Sequence, residues 1–108
     1  MLQDFVKVAS VGELAAGGMM MVSAKGTDVL LARVGDAYFA IQNNCSHARG
    51  GMLDQGFLLA ESCEVECPIH AARFSLRTGE VTCGPAVAPV ARFSVKVEGD
   101  TILVGPSD

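Results

Sequence analysis

Both histidines of this chain stand close behind a cysteine, in Cys45-Ser46-His47 and in Cys67-Pro68-Ile69-His70. No other feature constrains the fold as strongly. Nineteen residues lie between His47 and Cys67, so a shared site requires two remote loops to close on each other. Random placement of two histidines, each within three residues behind one of the four cysteines, has odds of only about 1%. Cysteine is commonly buried for packing alone, but a buried histidine needs a partner. The pattern marks a site.

Thiolate and imidazole together are metal ligands. Tetrahedral zinc accepts a Cys₂His₂ set, but its usual spacing groups cysteine with cysteine and histidine with histidine. Here each loop supplies one of each. That suits a dinuclear centre, with two thiolates on one metal and two imidazoles on the other. A four-cysteine plant-type cluster requires Cys-x₄-Cys-x₂-Cys, and this fails because Cys63 and Cys67 enclose three residues. From spacing alone, a non-redox zinc-binding module remains the competing reading.

Around these loops the dominant periodicity is two. Phe93 to Val97 alternates apolar and polar, turns at Gly99-Asp100 and continues as Thr101 to Val104, the signature of a hairpin with half-buried strands. Asp28 to Val34, the Gly35-Asp36 turn and Ala37 to Gln42 form a second hairpin. Phe5-Val6-Lys7-Val8-Ala9 and Met19 to Ala24 are further short strands. The Met19-Met20-Met21 run is read as core filler or edge strand, since methionine fills irregular gaps. Ser10 and Glu13 have capping-box spacing, but Gly12, Gly17 and Gly18 limit them to one loose turn. The expected fold is all-β, a small antiparallel β-barrel or sandwich base. Residues 1–108 form a single domain of which about 44–86, holding all four cysteines and both histidines, is an inserted subdomain.

The charge balance narrows the partners. Twelve acids against eight bases leave a net charge of −4, and no basic stripe exists, so nucleic acid is not expected. The N-terminal stretch has no apolar leader core, and no apolar run approaches the ~18 residues of a membrane span. A cytoplasmic location is expected, where clustered cysteines mark metal or redox chemistry more often than disulfides.

The motif Cys45-Ser46-His47 with Glu66-Cys67-Pro68-Ile69-His70-Ala71-Ala72-Arg73-Phe74, followed by Arg77-Thr78-Gly79-Glu80-Val81-Thr82-Cys83-Gly84-Pro85-Ala86, resembles the Rieske-type [2Fe–2S] ferredoxins. The small ferredoxins of bacterial aromatic-ring-hydroxylating dioxygenase systems are the nearest in style. The resemblance implies the Rieske fold and one [2Fe–2S] cluster, with Cys45 and Cys67 on the inner iron and His47 and His70 on the outer one. Gly84-Pro85-Ala86 then corresponds to the loop covering the cluster. It further implies a one-electron carrier with a flavoprotein reductase as donor and a terminal Rieske oxygenase as acceptor. A subunit serving a diiron monooxygenase or a nitrite reductase is the alternative within electron transfer. The segment between His47 and Cys67 exceeds the usual family gap, and the excess is expected in Ala48 to Gly51 and in Leu58 to Ser62. Cys63 and Cys83, outside the ligand set, are expected to be plain thiols.

Two ferric ions, two sulfides, two thiolates and two neutral imidazoles sum to zero charge, whereas a four-thiolate cluster starts at −2. Histidine ligation therefore raises the potential of such centres to roughly −150 to +300 mV. High-potential relatives carry a cysteine, a serine and a tyrosine where this chain has Ile69, Ala72 and Phe74, and Gly50 stands where their disulfide partner would be. Without those hydroxyl donors a low potential is expected. Both histidines are committed as ligands and no catalytic constellation remains, so the chain is expected to be a shuttle and not an enzyme. An apolar tip of Gly50, Gly51, Met52, Pro68, Ile69 and Pro85, with Arg49 nearby, is the expected docking face. Glu61, Glu64 and Glu66 would provide an acidic side.

Overall fold

The computed structural model describes residues 4–46, 51–86 and 88–106. It contains ten strands and two single-turn 3₁₀ segments among the described residues. The strands are β1 (Val6–Ser10), β2 (Met19–Ala24), β3 (Thr27–Val34), β4 (Ala37–Gln42), β5 (Phe57–Leu59), β6 (Glu64–Glu66), β7 (Arg73–Ser75), β8 (Val81–Cys83), β9 (Arg92–Glu98) and β10 (Thr101–Gly105). Six form an antiparallel sheet in the order β1-β10-β9-β4-β3-β2. Its two outer strands, β1 and β2, come back into contact, so the sheet curls into a nearly closed barrel. The remaining four form a small antiparallel sheet, β5-β6-β7-β8. Because β4 pairs directly with β9 through Ala40↔Phe93 and Ile41↔Arg92, the small sheet is an excursion from the barrel.

Hairpin chemistry sets the register. The β2–β3 hairpin turns at Lys25-Gly26, both with positive φ (49° and 85°), as a two-residue turn matched to strand twist requires. It holds Ala24 opposite Thr27 and Met19 opposite Ala32. The Ser10–Glu13 spacing does stop the chain for one turn: Glu13 Oε1 accepts from Ser10 N at 2.8 Å and from its hydroxyl at 2.9 Å, ahead of a 3₁₀ turn over Val11–Glu13.

β3 departs from simple alternation. Val29, Leu30, Leu31 and Ala32 are all buried, and they serve two cores. Val29 and Leu31 point with Ala40, Phe93, Ile102 and Val104 into the barrel. Leu30 and Ala32 point with Ile41 the other way, onto Val65, Phe74, Leu76 and three cysteines. A strand covered on both faces becomes a continuous apolar run, and β3 is therefore the wall between barrel and small sheet. The methionines divide similarly: Met19 packs toward the small sheet, Met20 toward the barrel, and Met21 is largely exposed on the edge.

Candidate metal centre

The first ligand loop leaves β4 through Asn43, a fully buried polar residue. Asn43 and Asp54 exchange hydrogen bonds: Asn43 Nδ2 donates to Asp54 Oδ1 at 2.8 Å, and Asp54 N donates to Asn43 Oδ1 at 2.9 Å. The Asn43 backbone adds a bond from its N to Asp28 O at 3.1 Å and one from Leu53 N to its own carbonyl at 2.7 Å. An Asn44↔Met52 bridge and a bond from Cys45 N to Gly51 O at 2.9 Å then close the loop. Cys45 is held at its base, 7% exposed. His47 lies outside the described residues, as do Ala48, Arg49 and Gly50.

The second loop is the connection of the β6–β7 hairpin. Its last rung is Glu66↔Arg73, reinforced by an ion pair of 2.9 Å between their side chains. Inside it, Cys67 N donates to Ala72 O at 2.8 Å and Ala71 N to Cys67 O at 3.2 Å. The tightness of this loop puts Ala71 in the left-handed region at φ 63°. Gly56 makes room behind it, since a Cβ there would collide with the Glu66 carbonyl. Cys67 is 1% exposed, while Pro68, Ile69 and His70 are exposed. The loop therefore buries its thiol and displays its imidazole.

The two thiols meet. Cys45 lies within hydrogen-bonding reach of Cys67, and the backbone amides of Ile69 and His70 point at the Cys67 sulfur. Burial, first, and then the neighbouring thiol push the Cys67 thiol up, while the two amides pull it down. Burial and the neighbouring sulfur both oppose a negative charge on the Cys67 sulfur, which a bound cation would relieve. Among the described residues no three ligand-type side chains converge on one point. The described donors are instead two inward sulfurs and one outward imidazole, which fits a dinuclear cluster whose two metals have different ligands.

A third segment closes the site from the side. After β8 the chain passes Gly84-Pro85 through a cis peptide, and Ala86 packs into the same core as Cys45 and Cys67. The Ser46 hydroxyl donates to the Ala88 carbonyl, tying this segment to the first loop. Cys63 is buried in the β5–β6 turn, with its thiol pushed up by burial, and Cys83 is exposed at the end of β8; all four cysteines are free. Neither Cys63 nor Cys83 is paired in a disulfide.

The expected docking face is partly redrawn. Gly51 is buried and Met52 half-buried, because the Asn44↔Met52 bridge and the Cys45–Gly51 hydrogen bond draw them against the end of β4. The described apolar surface beside the second loop is instead Ile69 (47% exposed), Pro68, Pro85 and Phe57 (59% exposed). Phe57 was not singled out from sequence; it sits on the edge strand β5 directly opposite Glu66, next to Cys67. An exposed aromatic that opens a strand carries no local sequence mark. The acidic side also changes. Glu66 is engaged by Arg73, Glu61 lies in the β5–β6 turn, and Glu64 is held ionised by the hydroxyls of Thr82 and Ser62. Of the stretch Leu58 to Ser62, Leu58 and Leu59 belong to β5, and Ala60 to Ser62 lie in the hairpin turn. The Ala48–Gly50 part of the other expected extension is outside the described residues.

Residues 4–94 match the Rieske [2Fe–2S] domain, and the chain belongs to this family, whose members carry a [2Fe–2S] cluster. The ferredoxin component of biphenyl 2,3-dioxygenase from Rhodococcus jostii (strain RHA1) is 42% identical over 98 residues, covering 91% of this chain and 89% of its own. Among solved structures, the ferredoxin of carbazole 1,9a-dioxygenase from Nocardioides aromaticivorans IC177 superposes with a TM-score of 0.91 at 43% identity, covering 97% of this chain and 100% of that one. A chain from the complex of reduced oxygenase and oxidized ferredoxin in carbazole 1,9a-dioxygenase reaches a TM-score of 0.86 at 28% identity, covering 95% and 94%. Membership of an iron–sulfur family replaces the zinc-module reading.

Proposed function

We propose that this chain is the ferredoxin of an aromatic-ring-hydroxylating dioxygenase system, carrying single electrons from a flavoprotein reductase to the terminal Rieske oxygenase. It is an electron-transfer component, not an enzyme. The carrying observation is the meeting of the Cys45 and Cys67 thiols at the base of two loops, in a chain 42% identical to a dioxygenase ferredoxin. In this reading Cys45 and Cys67 hold one iron and His47 and His70 the other, within one domain whose cluster-binding subdomain spans about 44–86. A cytoplasmic location completes the proposal. No helix among the described residues is long and apolar enough to cross a membrane.

The bound cluster supplies one-electron redox chemistry. The chain's residues do the rest. Asn43, Asp54 and the Glu66–Arg73 rung fix the two loops, so little rearrangement accompanies a change of charge. The Ile69 and His70 amides offset negative charge on the Cys67 sulfur. Phe74, Ala72, Val65 and Leu76 exclude water from the sulfur side. Exposure of His70 makes its imidazole edge the route for an electron to a docked partner. The deciding experiment is electron paramagnetic resonance of the dithionite-reduced protein. A Rieske-type spectrum that disappears in His47→Ala and His70→Ala is expected; a native spectrum surviving loss of His70 would sink the ligand assignment.

A further inference from the structure

At the end of the molecule away from the ligand loops, β4 and β9 part company. They pair only at Ala40↔Phe93 and Ile41↔Arg92. Beyond that point Tyr38 and Phe39 on one side and Ser94, Val95 and Lys96 on the other line an open groove of about 570 Å³. Its remaining walls come from Phe5 and from Leu76-Arg77, where the small sheet meets the barrel. The connecting strands give its distance from the site. Leu76, just past the end of β7, lies four residues beyond Ala72, or roughly 13 Å at the rise of extended chain.

Charge in this groove runs against that of the molecule. The chain has twelve acids and eight bases, yet the lining holds three bases, Arg77, Arg92 and Lys96, and no acid. Two of these cations lie over rings: the Arg77 guanidinium is 5.4 Å from the centre of Phe39, and Lys96 Nζ is 5.7 Å from the centre of Phe5. Arg33, outside the lining, stands over Tyr38 at 5.3 Å and is paired with Asp36 at 3.6 Å. Glu98, 3.2 Å from Lys96, is an acid at the rim. Cations resting on rings are already ordered, so they lose less side-chain freedom on meeting a carboxylate.

We propose that this groove docks an extended, acidic segment of a partner protein. A small monocarboxylate would engage one cation at a time. Cations spread across a groove between two strands match several carboxylates on one chain, with intervening apolar side chains against Tyr38, Phe39 and Phe5. Such a segment would hold the partner at the base while the ligand loops stay open for electron exchange. The inference rests on the barrel and its surface charge, and it stands whatever residues ligate the cluster.

The test uses the cluster-loaded protein labelled with ¹⁵N, titrated at low salt with an eight-residue peptide alternating Glu and Leu. Saturable amide shifts confined to Tyr38–Ala40, Arg77 and Arg92–Lys96 are expected, weakening with added salt. The double variant Arg77→Glu, Lys96→Glu reverses two exposed charges and should bind about tenfold or more weakly. Its reduced paramagnetic spectrum should be unchanged, which also reports that it has folded; if it fails to fold, the wild-type shift map and salt dependence decide. Absence of saturable shifts, shifts centred elsewhere, equal binding of the Gln-Leu peptide, or citrate shifting the same amides at equal concentration would each overturn the proposal.

Discussion

Asn43 and Asp54 lock the first ligand loop to the barrel by a reciprocal pair of hydrogen bonds, 2.8 Å from Asn43 Nδ2 to Asp54 Oδ1 and 2.9 Å from Asp54 N to Asn43 Oδ1. Asn43 is completely buried, so removal of its amide leaves partners on both sides without water to replace it. Asn43→Ala should cost about 1–3 kcal/mol of stability. Urea unfolding measures that cost, and the cluster's visible absorbance per protein should fall with it because Cys45 lies two residues on. Unchanged stability would mean the loop is held by its backbone bonds alone.

The outer cysteines separate by burial. Cys83→Ser should leave stability within about 0.5 kcal/mol of wild type, as exposed substitutions do. Cys63→Ser places a hydroxyl in an apolar core and should destabilise by about 1–3 kcal/mol. Both should retain the reduced-state spectrum. Loss of that spectrum in either folded variant would add a residue to the ligand set.

Phe74 is the largest fully buried side chain and shares its core with Cys45 and Cys67. Phe74→Tyr should raise the midpoint potential, because a hydroxyl donated to the cluster stabilises its reduced, more negative form. Fitting the added oxygen should cost about 1–3 kcal/mol of stability. Voltammetry and thermal unfolding read the two effects separately, and an unmoved midpoint would show that the hydroxyl does not reach a sulfur.

Phe57 and Ile69 are the large apolar side chains exposed beside the second loop. Phe57→Ser and Ile69→Ser should each slow stopped-flow electron transfer to the oxygenase by about tenfold, with little change in midpoint, since the Ile69 amide that faces Cys67 is retained. Unaltered transfer rates in both variants would exclude this patch from docking.

Glu64 is kept ionised below the usual carboxylate range, chiefly by the hydroxyls of Thr82 and Ser62. Its negative charge therefore persists through neutral and mildly acidic pH. If that charge steers partners, Glu64→Lys should lower the association rate, and the difference should shrink as salt is added. Salt-independent rates, equal in variant and wild type, would leave docking to apolar contacts.

Local chemistry already written in the chain determined much of this protein. Two cysteine–histidine pairs pointed to an iron–sulfur family, and alternating strands with Gly35-Asp36 and Gly99-Asp100 turns announced the hairpins, because metal affinity and strand period belong to residue types at short spacing. Tertiary structure alone decided the rest. Only the crossing of two cores on β3 explains why Val29–Ala32 are all buried, and only the return of the chain at Leu53-Asp54 makes Asn43 a buried clasp rather than a turn residue. The same holds for Phe57 beside Cys67, for the burial of Gly51, and for the cation-lined groove, whose residues come from four separate stretches of chain. Such features depend on which distant surfaces exclude water together. No short window of sequence contains both members of those pairs.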